Sequence, residues 1–167
     1  MNHSDSMFKD QTLLITGGTG FIGHALCDHL LQGGHTLTVL TRDPAQARAR
    51  VPSPVRLLAT LDEARDVEAV VNLAGEPLMA GRWNATRKAA FRSSRLATTQ
   101  ALIAWMARQS VRPRVLVSGS AIGYYGPRDD EALDESATPG DDFAAQLCRD
   151  WETEAMRAEA LDVRTCR

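Results

Sequence analysis

Leu13-Leu14-Ile15-Thr16-Gly17-Gly18-Thr19-Gly20-Phe21-Ile22-Gly23 passes from an apolar run, through spaced glycines, into a helical pattern. The run Leu13 to Ile15 suits a parallel strand covered on both faces. Gly17, Gly20 and Gly23 recur at three-residue steps, and each has its own expected task. Gly17 turns the chain tightly off the strand, Gly20 lets a pyrophosphate approach the backbone, and Gly23 lets the helix pack closely on the sheet. The helix start, with Phe21 and Ile22 in its first turn, offers free N–H groups and a positive dipole end to phosphate. Apolar residues at Phe21, Ile22, Ala25, Leu26 and Leu30 give the helix an amphipathic pattern. A turn without a ligand could use the same glycines. A strand before them and such a helix after them is the context a dinucleotide loop requires.

Working outward, the chain has 167 residues and a formal net charge of −2. That length supports one domain with a substantial core, and the charge gives no sign of nucleic acid binding. Cys27, Cys148 and Cys166 are odd in number and widely spaced, so neither a disulfide framework nor a zinc site is expected. A reducing, cytoplasmic setting follows as the expectation. Residues 1–10 are polar and lack the apolar core of a secretory signal, and residues 1–9 read as a loose tail. No apolar run approaches about 18 residues, so no membrane span is expected.

After the first helix, Gln32-Gly33-Gly34-His35 is a stop signal. Residues 36–40 read as the second strand and end at Thr41-Arg42-Asp43-Pro44. A dinucleotide fold chooses its cofactor at this place. An acidic side chain would bind the ribose 2′-hydroxyl of NAD, and a basic one would accommodate the 2′-phosphate of NADP. Arg42, with Thr41 as a hydroxyl partner, favours NADP(H) over NAD(H). Asp43 is the competing reading for NAD, unless it caps the short basic helical turn that follows.

A weak third strand over residues 55–58, a connecting turn over 62–66 and a fourth strand over 67–73 come next. The fourth strand leaves through Leu73-Ala74-Gly75, small enough for a cofactor ribose to lie on the backbone, although an ordinary turn uses similar residues. A helix is expected over 84–109, its first half carrying Arg87, Lys88, Arg92 and Arg95 after Arg82. This basic run reads either as a solvated face or as bringing Arg82 or Arg95 to an anionic substrate or the cofactor. Residues 115–117 form a fifth strand, followed by Ser118-Gly119-Ser120 at the crevice where such sheets bind ligands. Tyr124 and Tyr125 are expected to pack at the strand end with hydrogen-bonded hydroxyls. The acids from Asp129 to Asp142 read as solvated loop charges, with Asp141 or Asp142 capping a last helix over 143–160 and no metal site. A sixth strand begins at Val163.

Short apolar strands alternating with helices specify a parallel sheet covered on both faces, a doubly wound α/β fold of Rossmann type. Residues 16–23 resemble the cofactor loop of the extended short-chain dehydrogenase/reductase superfamily. More narrowly, the chain resembles its atypical, YfcH-like epimerase family members. The stretches that carry this are Asn72-Leu73-Ala74-Gly75-Glu76-Pro77, Gly81-Arg82-Trp83, Ser93-Ser94-Arg95, Ser118 to Gly126, and Phe143 with Leu147-Cys148 and Trp151-Glu152. The resemblance implies residues 10–167 as an NAD(P)-binding domain, without the C-terminal substrate lobe of relatives. It also implies a fold shared with sugar-nucleotide epimerases and dehydratases, usually with NADP, and a homodimer through the two helices over 84–109 and 143–160.

The departures from that family bear on catalysis. Superfamily enzymes use a serine with a Tyr-x-x-x-Lys pair, and Ser120 matches the serine that binds the substrate oxygen. The lysine position falls on Cys148 and the tyrosine on Ala144, or on Leu147 and Phe143 one place earlier. Arg95 lies near a position where the superfamily often has asparagine. Tyr124 or Tyr125 could donate the proton instead, although an unassisted phenol has a pKa of about 10. Cys148 is a candidate acid or nucleophile, or else a small buried hydrophobe. Two functions therefore stand side by side: an NADP-dependent oxidoreductase or epimerase acting on a small molecule of sugar-nucleotide type, and a non-catalytic NADP-binding sensor.

Overall fold

The computed structural model describes residues 10–167, so the tail expected over residues 1–9 lies outside the described residues. Strands β1 (Thr12–Thr16), β2 (Thr36–Leu40), β3 (Arg56–Leu58), β4 (Ala69–Asn72), β5 (Val115–Ser118) and β6 (Arg164–Cys166) form one sheet. Its order is β3-β2-β1-β4-β5-β6, and every neighbouring pair is parallel. The helices are α1 (Phe21–Gln32), α2 (Pro44–Ala47), α3 (Ala85–Ala107) and α4 (Phe143–Met156). This is the doubly wound Rossmann-type fold. The chain builds outward from β1 to β3, then returns to lay β4 on the other side of β1. Right-handed crossovers therefore put α1 on one face of the sheet and α3 and α4 on the other.

Alternate residues of each strand supply the two cores. Leu13, Ile15, Leu37, Val39 and Val71 pack with Cys27 under α1. Leu14, Val70 and Leu116 pack with Leu102 and Met106 of α3 and Ala155 of α4. The register sets Thr16 beside Leu40 on one side and Asn72 on the other, with Asn72 beside Ser118. The carboxyl ends of β2, β1, β4 and β5 are thus level, and their exit loops share one ledge.

Three expectations need correction. In α1, Phe21, Ile22 and Ala25 are exposed, and the inward face runs through Gly23, Leu26, Cys27 and Leu30. The apolar residues at the helix start belong to the sheet's carboxyl ledge rather than to the core. Strand β4 begins at Ala69 rather than Val67, because Val67 and Ala64 pack into the core from the preceding loop. The last helix ends at Met156, where a 3-10 turn over Arg157–Leu161 closes on Asp162 at φ 60° and redirects the chain into β6. The stop after α1 lies where expected: Gly34 takes φ +85°, and its N–H donates to the Leu31 carbonyl.

Candidate functional site

The glycine loop joins the exits of β1 and β4. Gly17 has φ +72°, and a Cβ there would stand 2.6 Å from the Leu73 carbonyl carbon. Gly23 has a different neighbour from the one expected. Its Cβ would fall 2.2 Å from the Gly17 oxygen and 2.7 Å from Gly18 Cα, so it folds α1 against the loop itself rather than against the sheet. The Gly20 N–H donates to the Gly17 carbonyl at 3.0 Å. At the Cβ position of Gly20 only that oxygen lies within 4 Å, which leaves the surface open. No side chain caps α1, and its first helical hydrogen bond runs from the His24 N–H to the Gly20 carbonyl. The N–H groups of Phe21, Ile22 and Gly23 thus lack helical acceptors beside an open, side-chain-free surface, which fits a pyrophosphate. Phe21 is 96% exposed and Ile22 66%, apolar surface beside those donors.

At the end of β2 the Thr41 N–H donates to the Leu58 carbonyl at 2.9 Å. Asp43 caps α2, its carboxylate accepting from the Gln46 N–H at 3.0 Å with Pro44 at the first helical position. Arg42 is exposed and forms no ion pair among the described residues. The acid at this strand end is committed to the backbone, and the base is free.

Below the ledge lies a buried polar network. Thr16 Oγ1 donates to Asn72 Oδ1 at 2.7 Å and accepts from the Ala74 N–H at 3.2 Å. Asn72 Nδ2 donates to Thr99 Oγ1 at 2.9 Å and Ser118 Oγ at 3.4 Å. Thr99 Oγ1 also accepts from Trp151 Nε1 at 3.1 Å and donates to the Arg95 carbonyl at 2.8 Å. Five elements are tied together directly under Leu73-Ala74-Gly75. Sequence reasoning missed Thr99 and the network. The available signal was Asn72, a lone amide closing an apolar strand.

The proposed chemistry residues lie beyond the ends of β4 and β5. Ser120 Oγ donates to Glu152 Oε1 at 2.5 Å, and Glu152 Oε2 meets Arg167 Nε at 2.7 Å. Glu152 is thus a partner that sequence reasoning quoted in the motif but gave no role. Cys148 is buried, and its thiol donates to the Ala121 carbonyl at 3.8 Å. Burial first, and the nearby Glu152 carboxylate second, push its pKa up. A thiol held neutral is a poor nucleophile. Tyr124 and Tyr125 stack edge to face with centroids 5.3 Å apart, and neither hydroxyl has a protein partner among the described residues, unlike the expected packing role.

The basic start of α3 is not a plain solvated face. Arg87 donates to the Pro77 carbonyl at 2.9 Å and lies over Phe91. Lys88 lies over Phe143, and Arg92 pairs with Asp150. Trp83 packs edge-on against Phe91 and Phe143 and donates to the Leu78 carbonyl at 2.9 Å. Arg82 is exposed. Arg95 turns inward: Nη1 donates to the Glu76 and Phe91 carbonyls, both at 3.2 Å. Its guanidinium carbon lies 5.3 Å from the Trp151 ring centroid. In the acidic loop, Asp134 accepts from the Ser136 N–H and Asp142 caps α4 through the Ala145 N–H. Among the described residues no group of three or more His, Cys, Asp or Glu could hold a metal ion, and no helix is long and apolar enough to cross a membrane.

Residues 13–167 match the profile of the NAD dependent epimerase/dehydratase family. The chain is similar to the Arabidopsis thaliana epimerase family protein SDR39U1 homolog, chloroplastic, with 36% identity over 165 residues, covering 93% of this chain and 47% of the relative. The crystal structure of human epimerase family protein SDR39U1 (isoform 2) with NADPH superposes with a TM-score of 0.74 at 33% identity, covering 87% of this chain and 48% of that one. The nucleoside-diphosphate sugar epimerase from Corynebacterium glutamicum also matches with a TM-score of 0.74 at 33% identity, over 94% of this chain and 33% of that one. The chain spans about half the length of the curated relatives it matches.

Proposed function

The chain belongs to the NAD dependent epimerase/dehydratase family, and from that premise we propose that it binds NADP(H) in preference to NAD(H) and works in oxidoreductase or epimerase chemistry on a small molecule of sugar-nucleotide type. One observation carries the cofactor choice: Arg42 is free at the end of β2, while Asp43 is consumed by the α2 cap. A carboxylate already hydrogen-bonded to a backbone N–H is poorly placed for a ribose diol, whereas a free guanidinium fits a phosphate dianion. The first-turn N–H groups of α1 would hold the pyrophosphate. Ala74 and Gly75, fixed from below by Thr16, would give the ribose a smooth floor. When bound, the dinucleotide supplies the hydride chemistry. Ser120 sits at the β5 exit, and its hydroxyl would accept from a substrate hydroxyl while its own O–H donates to Glu152.

Calorimetric titration tests this reading. NADPH is expected to bind at micromolar affinity and NADH much more weakly, with Arg42→Ala lowering NADPH affinity about tenfold, the scale of one charge-assisted pair. Equal affinities for both dinucleotides, or an unaffected Arg42→Ala, would overturn it. By resemblance we extend the proposal to a homodimer through α3 and α4. Sedimentation showing a monomer across micromolar concentrations counts against that assembly.

A second reading, a non-catalytic NADP-binding sensor, is favoured by a specific observation. Neither Ala144 with Cys148 nor Phe143 with Leu147 provides a tyrosine and lysine, and Cys148 is buried. NADPH oxidation across a carbonyl panel separates the two. Turnover abolished by Ser120→Ala would reject the sensor.

A further inference from the structure

Arg95 is a half-buried cation beside the exit of β4. It forms no ion pair among the described residues, and its only hydrogen bonds run from Nη1 to two backbone carbonyls. The Nε–Nη2 edge has no protein acceptor among the described residues. A Cβ on Gly75 would stand 2.7 Å from Arg95 Cζ and 2.9 Å from Nη2, so the guanidinium lies directly against the exit of β4. The Trp151 ring beneath it continues to Gly119, where a Cβ would stand 2.9 Å from Trp151 Cη2. One indole therefore separates Arg95 from the residue preceding Ser120. Partial burial of an arginine without a carboxylate costs free energy, which two carbonyls and an aromatic face offset only in part. Such a group in a ligand crevice marks a functional position.

We propose that Arg95 anchors a carboxylate of the substrate, which makes the substrate class a carboxylated sugar or similar hydroxy acid; this deepens the dinucleotide-dependent reading above and rests on it for the reaction. The free edge of a guanidinium presents two parallel N–H donors, which match the two oxygens of a planar carboxylate.

Phenylglyoxal labelling of the full chain, mapped by mass spectrometry, tests this. The probes are NADPH, glucuronate, neutral glucose and inorganic phosphate, each used with and without the others. NADPH protecting Arg42 reports on the dinucleotide reading, and glucuronate protecting Arg95 reports on this one, so the two fail separately. The expected result is that glucuronate slows Arg95 modification about tenfold at saturation while glucose does not. Arg95→Lys and Arg95→Gln are each expected to weaken glucuronate binding about tenfold, the loss of one bidentate pair, and to leave NADPH affinity within about twofold. Arg95 unreactive without ligand, equal protection by glucose, better protection by phosphate, or full protection by NADPH alone would each overturn the assignment. Labelling of the unsubstituted chain distinguishes these outcomes even where a variant fails to fold.

Discussion

Gly17 cannot carry a side chain without moving the exit of β4. Its φ of +72° and the 2.6 Å approach to the Leu73 carbonyl add strain and a clash at one atom. Gly17→Ala is expected to destabilise the fold by about 2 kcal/mol or more, read as a fall in the urea midpoint. Cys27 and Cys148 make a second prediction at this scale. Burial is the first cause that raises both thiols above 9.0, with Asp28 adding to it for Cys27 and Glu152 for Cys148. A folded-state pKa above the unfolded value means the folded chain holds its proton longer. The stability these thiols contribute is full below about pH 9 and is lost as pH rises toward their folded values. Alkylation at about pH 8 should label exposed Cys166 quickly and the other two only after unfolding. Rapid native labelling of Cys148 would restore the nucleophile reading.

Elements are joined at this site by polar groups rather than by apolar contact alone. Asn72 is fully buried and holds β1, β5 and α3 through Thr16, Ser118 and Thr99. Asn72→Ala strands those hydroxyls and opens a cavity under the ledge, at an expected cost of about 2–4 kcal/mol. The same change frees the Ala74 N–H anchor, so NADPH affinity should fall together with thermal stability. Unchanged affinity would show that the ledge is set by the strand ladder instead. Trp83 fixes the loop over residues 77–83 to α3 and α4 through Phe91 and Phe143. Trp83→Ala should cost about 1–2 kcal/mol and raise hydrogen exchange in that loop while sparing β1 and β4.

For the whole molecule, the site is a consequence of topology. The order β3-β2-β1-β4-β5-β6 opens a crevice where the winding reverses between β1 and β4, and Gly17, Arg42, Gly75 and Ser120 all lie on that carboxyl side. A dinucleotide bound there touches the exits of several strands at once and so stabilises the folded state as a unit. NADPH at about a hundred times its dissociation constant should contribute about 2.7 kcal/mol, a rise of roughly 5–10 °C in Tm for a chain of this size. Arg42→Ala should require about tenfold more NADPH for the same rise, and a melting curve indifferent to NADPH would contradict the cofactor proposal.

The strand-glycine-helix run, the alternation of short apolar strands with helices, and the Arg42-Asp43-Pro44 punctuation were legible because each depends on local rules: period, turn chemistry and capping. The sequence by itself determined the parallel fold, and it offered the caps that the structure has at Asp43 and Asp142, the first beside an NAD reading and the second beside Asp141. It could not tell the inward from the outward face at the start of α1, since Phe21 and Ile22 look like core until the loop beside them is placed. Nor could it find the Asn72–Thr99–Trp151 network, the Ser120–Glu152 hydrogen bond or the inward turn of Arg95. Those residues stand 27, 52, 32 and 19 positions from the partners that give them a role. Only the packing of α3 and α4 on one face of the sheet brings them together, because pairing at such separations is fixed by the fold and not by any local preference.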